Sequence, residues 1–320
     1  MSYNSNTTFG FAGGNGGRSA VPDPRYGSFY DTTIQKNGDS GIPFAMRLNT
    51  TDISNGFTIQ PRTVSATASI SGTTLTCTAI LSGRFYPNML ISGSGVTPET
   101  AMFLQLTSTS AIVANPTLTG GGLSGASTFV VSSVAGIALR QFVTGTNLPS
   151  GTRVAYIDAG TNTIMLSKAF TGNGAGTYNF RDWGYTGTYT VSVAQAVVST
   201  TISGSTYSKI TAAYSGTYNL QYSAQFDRTA TGSDSVSIWL EKNGVAVDNT
   251  CTDLLVSGNT ALSPVVAAWN FFIDMNGGDY LEIVWSSPTT EIEIQSKAER
   301  LSPYRPAIPS VIATINTVSV

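Results

Sequence analysis

The sequence predicts an all-β protein, and three observations carry that. Tyr218, Leu220, Tyr222, Ala224 and Phe226 alternate with Asn219, Gln221, Ser223 and Gln225. This is the period of two expected of a strand with one face in a core. Val236, Ile238 and Leu240 repeat the pattern and run to Asn243-Gly244, a dipeptide that accepts positive φ and favours a hairpin turn. Trp269, Phe271, Ile273 and Met275 then alternate with Asn270, Phe272 and Asp274, before Gly277-Gly278-Asp279 turns the chain into Tyr280, Leu281, Ile283 and Trp285. An antiparallel sheet protein with an aromatic core follows.

A chain of 320 residues has room for two or three domains. Its hydrophobic content of 41% supports real cores, while charged residues make up only 11%, against about 25% in an ordinary soluble protein. Gly, Ser, Thr and Asn fill the difference. Disorder normally needs low hydrophobicity and high net charge, and here the formal charge is −2. The 16 basic residues are scattered, which argues against a phosphate-binding surface and so against nucleic acid. The N-terminus lacks a basic region followed by an apolar stretch, so no signal peptide is expected. No segment reaches the roughly 20 apolar residues of a membrane span, so no membrane insertion is expected. Cys77 and Cys251 sit in different segments and are read as two buried free thiols.

Residues 1–25 are rich in Gly and Pro without periodicity. They are read as an extended N-terminal arm, with Phe9 and Phe11 as anchors on a neighbouring chain; a disordered tail fits the same composition. Tyr26 to Tyr30 starts the first strand, Asn49 to Gly56 is a turn-rich bridge, and Phe57-Thr58-Ile59 reads as a short strand. In residues 63–204 an internal repeat appears. Leu75 matches Phe129, Gly83 matches Gly136, Met89 matches Phe142, Gly93 matches Gly145, Val96 matches Leu148 and Thr100 matches Thr152. Two related β units follow, about 64–120 and 123–182. Residues 187–204 read like closing strands of the first unit, so both a tandem and a nested arrangement fit. Near the C-terminus, Pro303, Pro306 and Pro309 suit an extended approach to a strand carrying Val311, Ala313, Ile315 and Val318.

Some of these segments also carry a resemblance. The order runs Gly216-x-Tyr218-x-Leu220-x-Tyr222, then a strand ending Lys242-Asn243-Gly244, then an apolar strand ending Gly278-Asp279, then an apolar C-terminal strand. It resembles the TNF-like jelly roll, the family that includes the globular heads of complement-type collagenous proteins. With residues 26–33, 49–59, 208–227, 238–244, 266–285 and 305–318, it is more closely similar to a bacteriophage virion version of that module. These segments cover somewhat under half of the chain. The resemblance implies a discontinuous jelly-roll β-sandwich, residues 26–62 plus 205–320, with the first strand beside the last. The family pattern joins 57–60 almost directly to 208–211. Here residues 61–207 intervene, read as an inserted domain of small repeated β units in a hairpin, a place that tolerates length.

The search for chemistry is short. The chain has no histidine, which removes the usual general base, the Ser-His-Asp and Cys-His arrangements and most zinc sites. Paired carboxylates remain, as in glycoside hydrolysis, with Asp158, Asp182, Asp227, Asp234, Asp248, Asp253, Glu241, Glu282 and Glu291 as candidates. Most read as solvated turn or edge residues; Glu291 and Glu293 read as the solvent face of a strand, and Asp279 as a cap on turn donors. The glycine runs 120–122 and 173–176 lack the Gly-Lys-Ser/Thr of a phosphate loop. No catalytic residue, cofactor or metal is assigned, and a calcium ion held by turn oxygens is left open. Aromatic residues of the insert, above all Phe85, Tyr86, Trp183 and Tyr185, read either as platforms facing a ligand or as fillers of small β cores.

The resemblance further implies a homotrimer around a threefold axis, with Gln221, Ser223, Asn270 and Phe272 facing the axis. The functional expectation is a non-enzymatic virion structural protein of a tailed phage. It would be a trimeric fibre or a capsid decoration protein, held to other virion proteins through residues 1–25 and projecting its insert toward a host surface glycan or receptor. A soluble carbohydrate- or protein-binding module of the complement-head kind is the alternative, against which the missing signal peptide and scarce cysteines count. A glycan-cleaving tailspike is the third, and needs two carboxylates converging in a groove.

Overall fold

The computed structural model describes residues 24–37, 40–258 and 264–319. Most of the expected N-terminal arm, including Phe9 and Phe11, lies outside the described residues. In chain order the strands are β1 (Tyr26–Asp31), β2 (Gln35–Lys36), β3 (Phe44–Ala45), β4 (Thr50–Asn55), β5 (Phe57–Gly83), β6 (Met89–Gly93) and β7 (Ala101–Ser108). Then come β8 (Ile112–Ala114), β9 (Leu118–Gly121), β10 (Thr128–Val131), β11 (Phe142–Thr144), β12 (Val154–Asp158), β13 (Thr163–Leu166) and β14 (Asn179–Arg181). The last group is β15 (Gly187–Ala212), β16 (Gly216–Arg228), β17 (Gly232–Lys242), β18 (Val245–Ala246), β19 (Thr252–Gly258), β20 (Val265–Met275), β21 (Tyr280–Ser286), β22 (Ile292–Ile294), β23 (Arg300–Leu301), β24 (Tyr304–Arg305) and β25 (Val311–Ser319). The described chain is all-β, and every strand pairing is antiparallel.

A β-sandwich forms the first body. One layer is a seven-stranded sheet in the order β2-β22-β16-β25-β1-β4, with β20 on the other side of β16. β1 runs beside β25, Tyr26 opposite Asn316 and Asp31 opposite Val311. The facing layer comes from β17, β19, β21, β3 and the ends of β5 and β15. Period-two alternation decides what lies between them. Tyr218, Leu220, Ala224, Phe226, Ala313 and Ile315 point inward from one layer, and Val236, Ile238, Leu240, Ile283 and Trp285 from the other, all buried in one cluster. Trp285 is wedged by Phe226 at 5.3 Å and Phe44 at 6.2 Å between ring centroids. The hairpin at Asn243-Gly244 has φ of 54° and 81°, the left-handed pair that a two-residue turn requires.

The short strand expected at residues 57–59 is instead the start of a 27-residue run, β5. It pairs with β15 from Phe57 opposite Ala212 through to Cys77 opposite Gly187. No strand ends at residue 62 or 204; the sandwich and the insert share these two strands. What changes there is the core. Ile59 and Ile210 pack in the sandwich cluster, while Val64 and Ile202 belong to a second cluster with Ala66, Ala68, Leu75, Met89 and Tyr189. At Gly72 (φ +61°) the run turns, and Thr78 lies back along it, its hydroxyl donating to the Thr67 carbonyl at 3.3 Å. β6 and β7 add to β15 and complete this body.

A third body lies between β7 and β15 in the chain. It holds a four-stranded sheet, β12-β13-β10-β9, and a three-stranded one, β11-β14-β8, around Phe129, Val143, Ile164, Phe170, Tyr178 and Phe180. The repeat seen in the sequence has a geometric counterpart. Val96 N–H donates to the Gly93 carbonyl at 3.1 Å, and Leu148 N–H to that of Gly145 at 3.4 Å. The buried Thr100 hydroxyl donates to the Thr97 carbonyl at 2.7 Å, and Thr152 to that of Pro149 at 2.6 Å. Ile91 N–H reaches Thr100 and Val143 N–H reaches Thr152, both at 2.9 Å. One corner, closed by one threonine, is thus built twice. Of the two thiols, Cys77 is buried, but Cys251, in the turn just before β19, is exposed.

Candidate functional site

Two surfaces gather the residues singled out in the sequence. The first is the outer face of the seven-stranded sheet. Gln221 lies between Asn270 and Thr314, Ser223 between Ala268 and Ile312, and Asn219 between Phe272 and Asn316. These nine side chains carry no charge. Gln221, Ser223, Asn270 and Phe272 therefore stand together on one face; the first three line a shallow depression that Ile312 and Thr314 complete, and Phe272 stands outside that lining. Phe272 is 65% exposed and Val266 57%, with Ile312 and Val318 also open to solvent. At the rim, Asp274 accepts the Thr217 hydroxyl at 2.6 Å. An exposed apolar patch in a field of uncharged polar groups is the composition of a protein contact surface, where charge is depleted.

The second surface is where the three bodies meet. Of the two readings open for the insert's aromatics, ligand-facing platform or core filler, Phe85 and Trp183 take the second, so neither faces a ligand. Phe85 is fully buried against Tyr189 at 4.7 Å, and Trp183 is 8% exposed. Tyr86 and Tyr185 are half-buried. Tyr86 and Trp183 belong to a stack of alternating cations and rings. Arg62 lies over Tyr86 at 4.7 Å, Arg84 over Tyr86 at 4.9 Å and over Trp183 at 4.4 Å, and Arg140 over Trp183 at 5.4 Å. Tyr86 and Trp183 meet edge to face at 5.3 Å. Each such contact is worth about 0.5–2 kcal/mol as desolvation grows. Arg62 comes from β5, Arg84 and Tyr86 from the loop after it, and Arg140 and Trp183 from the third body, so the stack sets the bodies' mutual orientation.

Carboxylates also converge here. Glu241 on β17 lies directly opposite Glu282 on β21. Glu282 is buried, and both its oxygens are engaged: Arg62 holds it bidentately, with Nη2 to Oε2 at 2.5 Å, and the Ser208 hydroxyl donates to Oε1 at 2.6 Å. Burial pushes the Glu241 carboxyl above its ordinary value, Arg140 opposes the shift and Glu282 adds to it. Two carboxylates are thus adjacent, and Arg62 and Ser208 fill three of the roughly four acceptor positions of Glu282.

The other candidates fall elsewhere. Asp279 receives Asn276 N–H at 2.8 Å and the Asn243 amide at 2.7 Å, the turn-capping role expected of it. Asp158 caps Gly160 N–H at 2.9 Å. Glu293 corrects an expectation: it is buried, because β2 lies along β22 and brings Lys36 to 3.6 Å, and because the Gln295 amide donates to it. Asp227, directly opposite Glu293, is also buried. Among the described residues no group of three or more Asp, Glu or Cys is arranged to hold a metal ion. A buried ion pair that the sequence did not reveal, Asp31 with Arg47, ties β1 to the segment before β4.

A scan against models of protein families finds no match, and no curated protein matches the chain.

Proposed function

We propose that the protein is a non-enzymatic structural protein of a tailed-phage particle that works as a homotrimer. The sandwich is read as a jelly roll of the TNF-like kind, on the resemblance of its segments and on the pairing of its first strand with its last. The observation that carries the reading is the outer sheet face, where Phe272, Val266 and Ile312 stand exposed in an uncharged field. Such a face is costly to leave in water and fits a second copy of itself around a closed axis. The uncharged polar surface and the scarcity of cysteine suit a durable exposed β protein. On the particle it acts by attachment or stabilisation, as a fibre or a capsid decoration, with the two smaller bodies turned outward and three copies giving avidity.

The test has two parts. Sedimentation of the purified protein should give three times the 33.5 kDa chain mass; a monomer at micromolar concentration removes the assembly reading. Mass spectrometry of purified particles should find the chain in multiples of three, and its absence from particles removes the virion reading.

A further inference from the structure

The seven-stranded sheet ends on an unguarded edge. Among the described residues β20 is paired on one side only, in unbroken register with β16 from Gly216 opposite Met275 to Phe226 opposite Val265. Its sequence, VVAAWNFFIDM, holds no Pro, no Lys and a single charge, Asp274. Folded proteins ordinarily interrupt such an edge with a bulge, a proline or a lysine, because its free N–H and C=O groups template a further strand. The core is also unfinished there. Leu220 is fully buried and Tyr222 is 5% exposed, yet Phe271 and Trp269, directly opposite them on β20, are only half-buried. Leu254 of β19 is half-buried against the same core. The other edge of this sheet, β4, is exposed along its length and has no half-covered core beside it.

The chain itself holds a segment suited to that edge. The arm as a whole has no periodicity, but Tyr3, Thr7, Phe9 and Phe11 share one parity, with Asn4, Asn6, Thr8 and Gly10 between them. A strand over residues 2–11 would carry an aromatic face and a polar one, without charge. Ala12 to Gly17 then makes a glycine-rich link. The root of the arm is fixed at the matching end of the sheet. The Arg25 guanidinium lies over the Tyr214 ring at 4.1 Å and donates to the Ser215 carbonyl at 3.3 Å. Ser215 also lines a hollow that Gly216, Met275 and Asn276 complete at the end of β20. From β1 across β25, β16 and β20 to a next strand is four strand spacings, about 19 Å. Residues 12–24 reach up to about 43 Å.

We propose that residues 2–11 add to the free edge of β20 in their own chain, with Phe9 and Phe11 on the side of Trp269 and Phe271. The link returns from this strand to the Arg25 end of the sheet, where β20 also ends, so the added strand runs parallel to β20. The arm then has a seat on its own sandwich, where the sequence alone suggested a neighbouring chain. The inference goes beyond the function proposed above and does not need the trimer.

The test is hydrogen exchange on the full chain, read amide by amide along β20. On a bare antiparallel edge every second amide points away from the partner strand, and an added strand holds those as well. They should be slow in the parent and at least tenfold faster in Phe9→Asp/Phe11→Asp, while β17 and β25 keep their protection. A synthetic peptide of residues 2–12 in excess should restore protection to the variant, and the same peptide bearing both substitutions should not. Isotopically heavy variant refolded together with light parent should stay unprotected. Circular dichroism checks that the variant folds, and Phe9→Ser/Phe11→Ser is the milder second variant if it does not. The proposal is overturned if these amides exchange alike in parent and folded variant, or if the two peptides act alike. It is also overturned if the heavy variant gains protection from the parent, which would seat the arm on a neighbouring chain. Sedimentation run alongside tells the two readings apart: a monomer with slow, arm-dependent amides defeats the assembly alone, and a trimer indifferent to the arm defeats this strand alone.

Discussion

Arg47 donates Nε–H to Asp31 Oδ2 at 2.7 Å, and neither side chain is more than 2% exposed. Around them, Gln35 accepts Arg47 N–H at 2.7 Å and donates to the Arg47 carbonyl at 2.9 Å, while Arg47 also donates to the Asn88 carbonyl and the Thr33 hydroxyl. Asn88 in turn donates to the Lys36 carbonyl at 3.0 Å. The pair therefore clasps the edge of the sandwich to the second body.

Removing one partner leaves an uncompensated buried charge. Arg47→Met should cost about 3–5 kcal/mol, more than the double variant Asp31→Asn/Arg47→Met, which leaves no lone charge behind. Denaturant unfolding of both variants checks this. Equal losses would show that the clasp acts by packing and not by charge.

Phe272 is the sharpest probe of the outer sheet face. At 65% exposure it contributes little to the isolated fold, and a surface change there moves stability by only about 0.5 kcal/mol. In an assembly it would be covered, where a buried phenylalanine is worth about 1.5–3 kcal/mol per copy. Phe272→Arg should leave the circular dichroism spectrum intact and shift the sedimentation profile to monomer. An oligomer that survives the substitution would place the contact elsewhere.

The pH dependence has a definite sign. Burial pushes the Glu293 carboxyl above its ordinary value; Lys36 opposes this, and Asp227 adds to it. The folded state thus binds this proton more readily than the unfolded chain does. Stability from this group is lowest above the raised folded value and recovers as pH falls toward the ordinary glutamate value of about 4.3. Asp234 acts in a separate window. Burial pushes it up, but hydrogen bonds from Thr289 and Arg228 outweigh that and leave it low, so its contribution is lost only below the ordinary aspartate value of about 3.9. Glu293→Gln should raise the melting temperature at pH 8 and lose that advantage by pH 4. A gain that is constant across this range would point to packing alone.

Much of the fold was legible because strand alternation is local. Tyr218 to Phe226 and Val236 to Leu240 face inward as their spacing demands, and the matched pairs Gly93/Gly145 and Thr100/Thr152 predict a corner that is built twice. Other features were not legible, for physical reasons. β5 runs on past Ile59 through Val64, Ala66 and Ala68, whose small side chains give a weak apolar signal. Phe85 and Trp183 sit in a polar, turn-like context, yet Phe85 packs against Tyr189 and Trp183 lies against the very arginines that make it polar. Arg62 and Glu282 are 220 positions apart in the chain, so nothing in a single sequence announces their pairing. Gln221 and Asn270 were placed on a common face correctly, since register follows from alternation once the hairpins are known.

Gly187 tests whether the second body depends on close backbone approach. Its φ is +142°, and a Cβ there would lie 2.0 Å from the Thr107 carbonyl oxygen. That neighbour is backbone, paired in register with β15 where Thr188 faces Thr107, so it cannot swing aside as a side chain would. Gly187→Ala must therefore both adopt a backbone conformation that L-residues avoid and part β7 from β15. A loss of about 2–4 kcal/mol is expected, confined to the insert because the sandwich has its own core. Hydrogen exchange should show protection lost across β7 and the first half of β15 while β16 and β25 keep theirs. Loss of protection throughout would mean that the bodies unfold as a single cooperative unit through the shared strands β5 and β15.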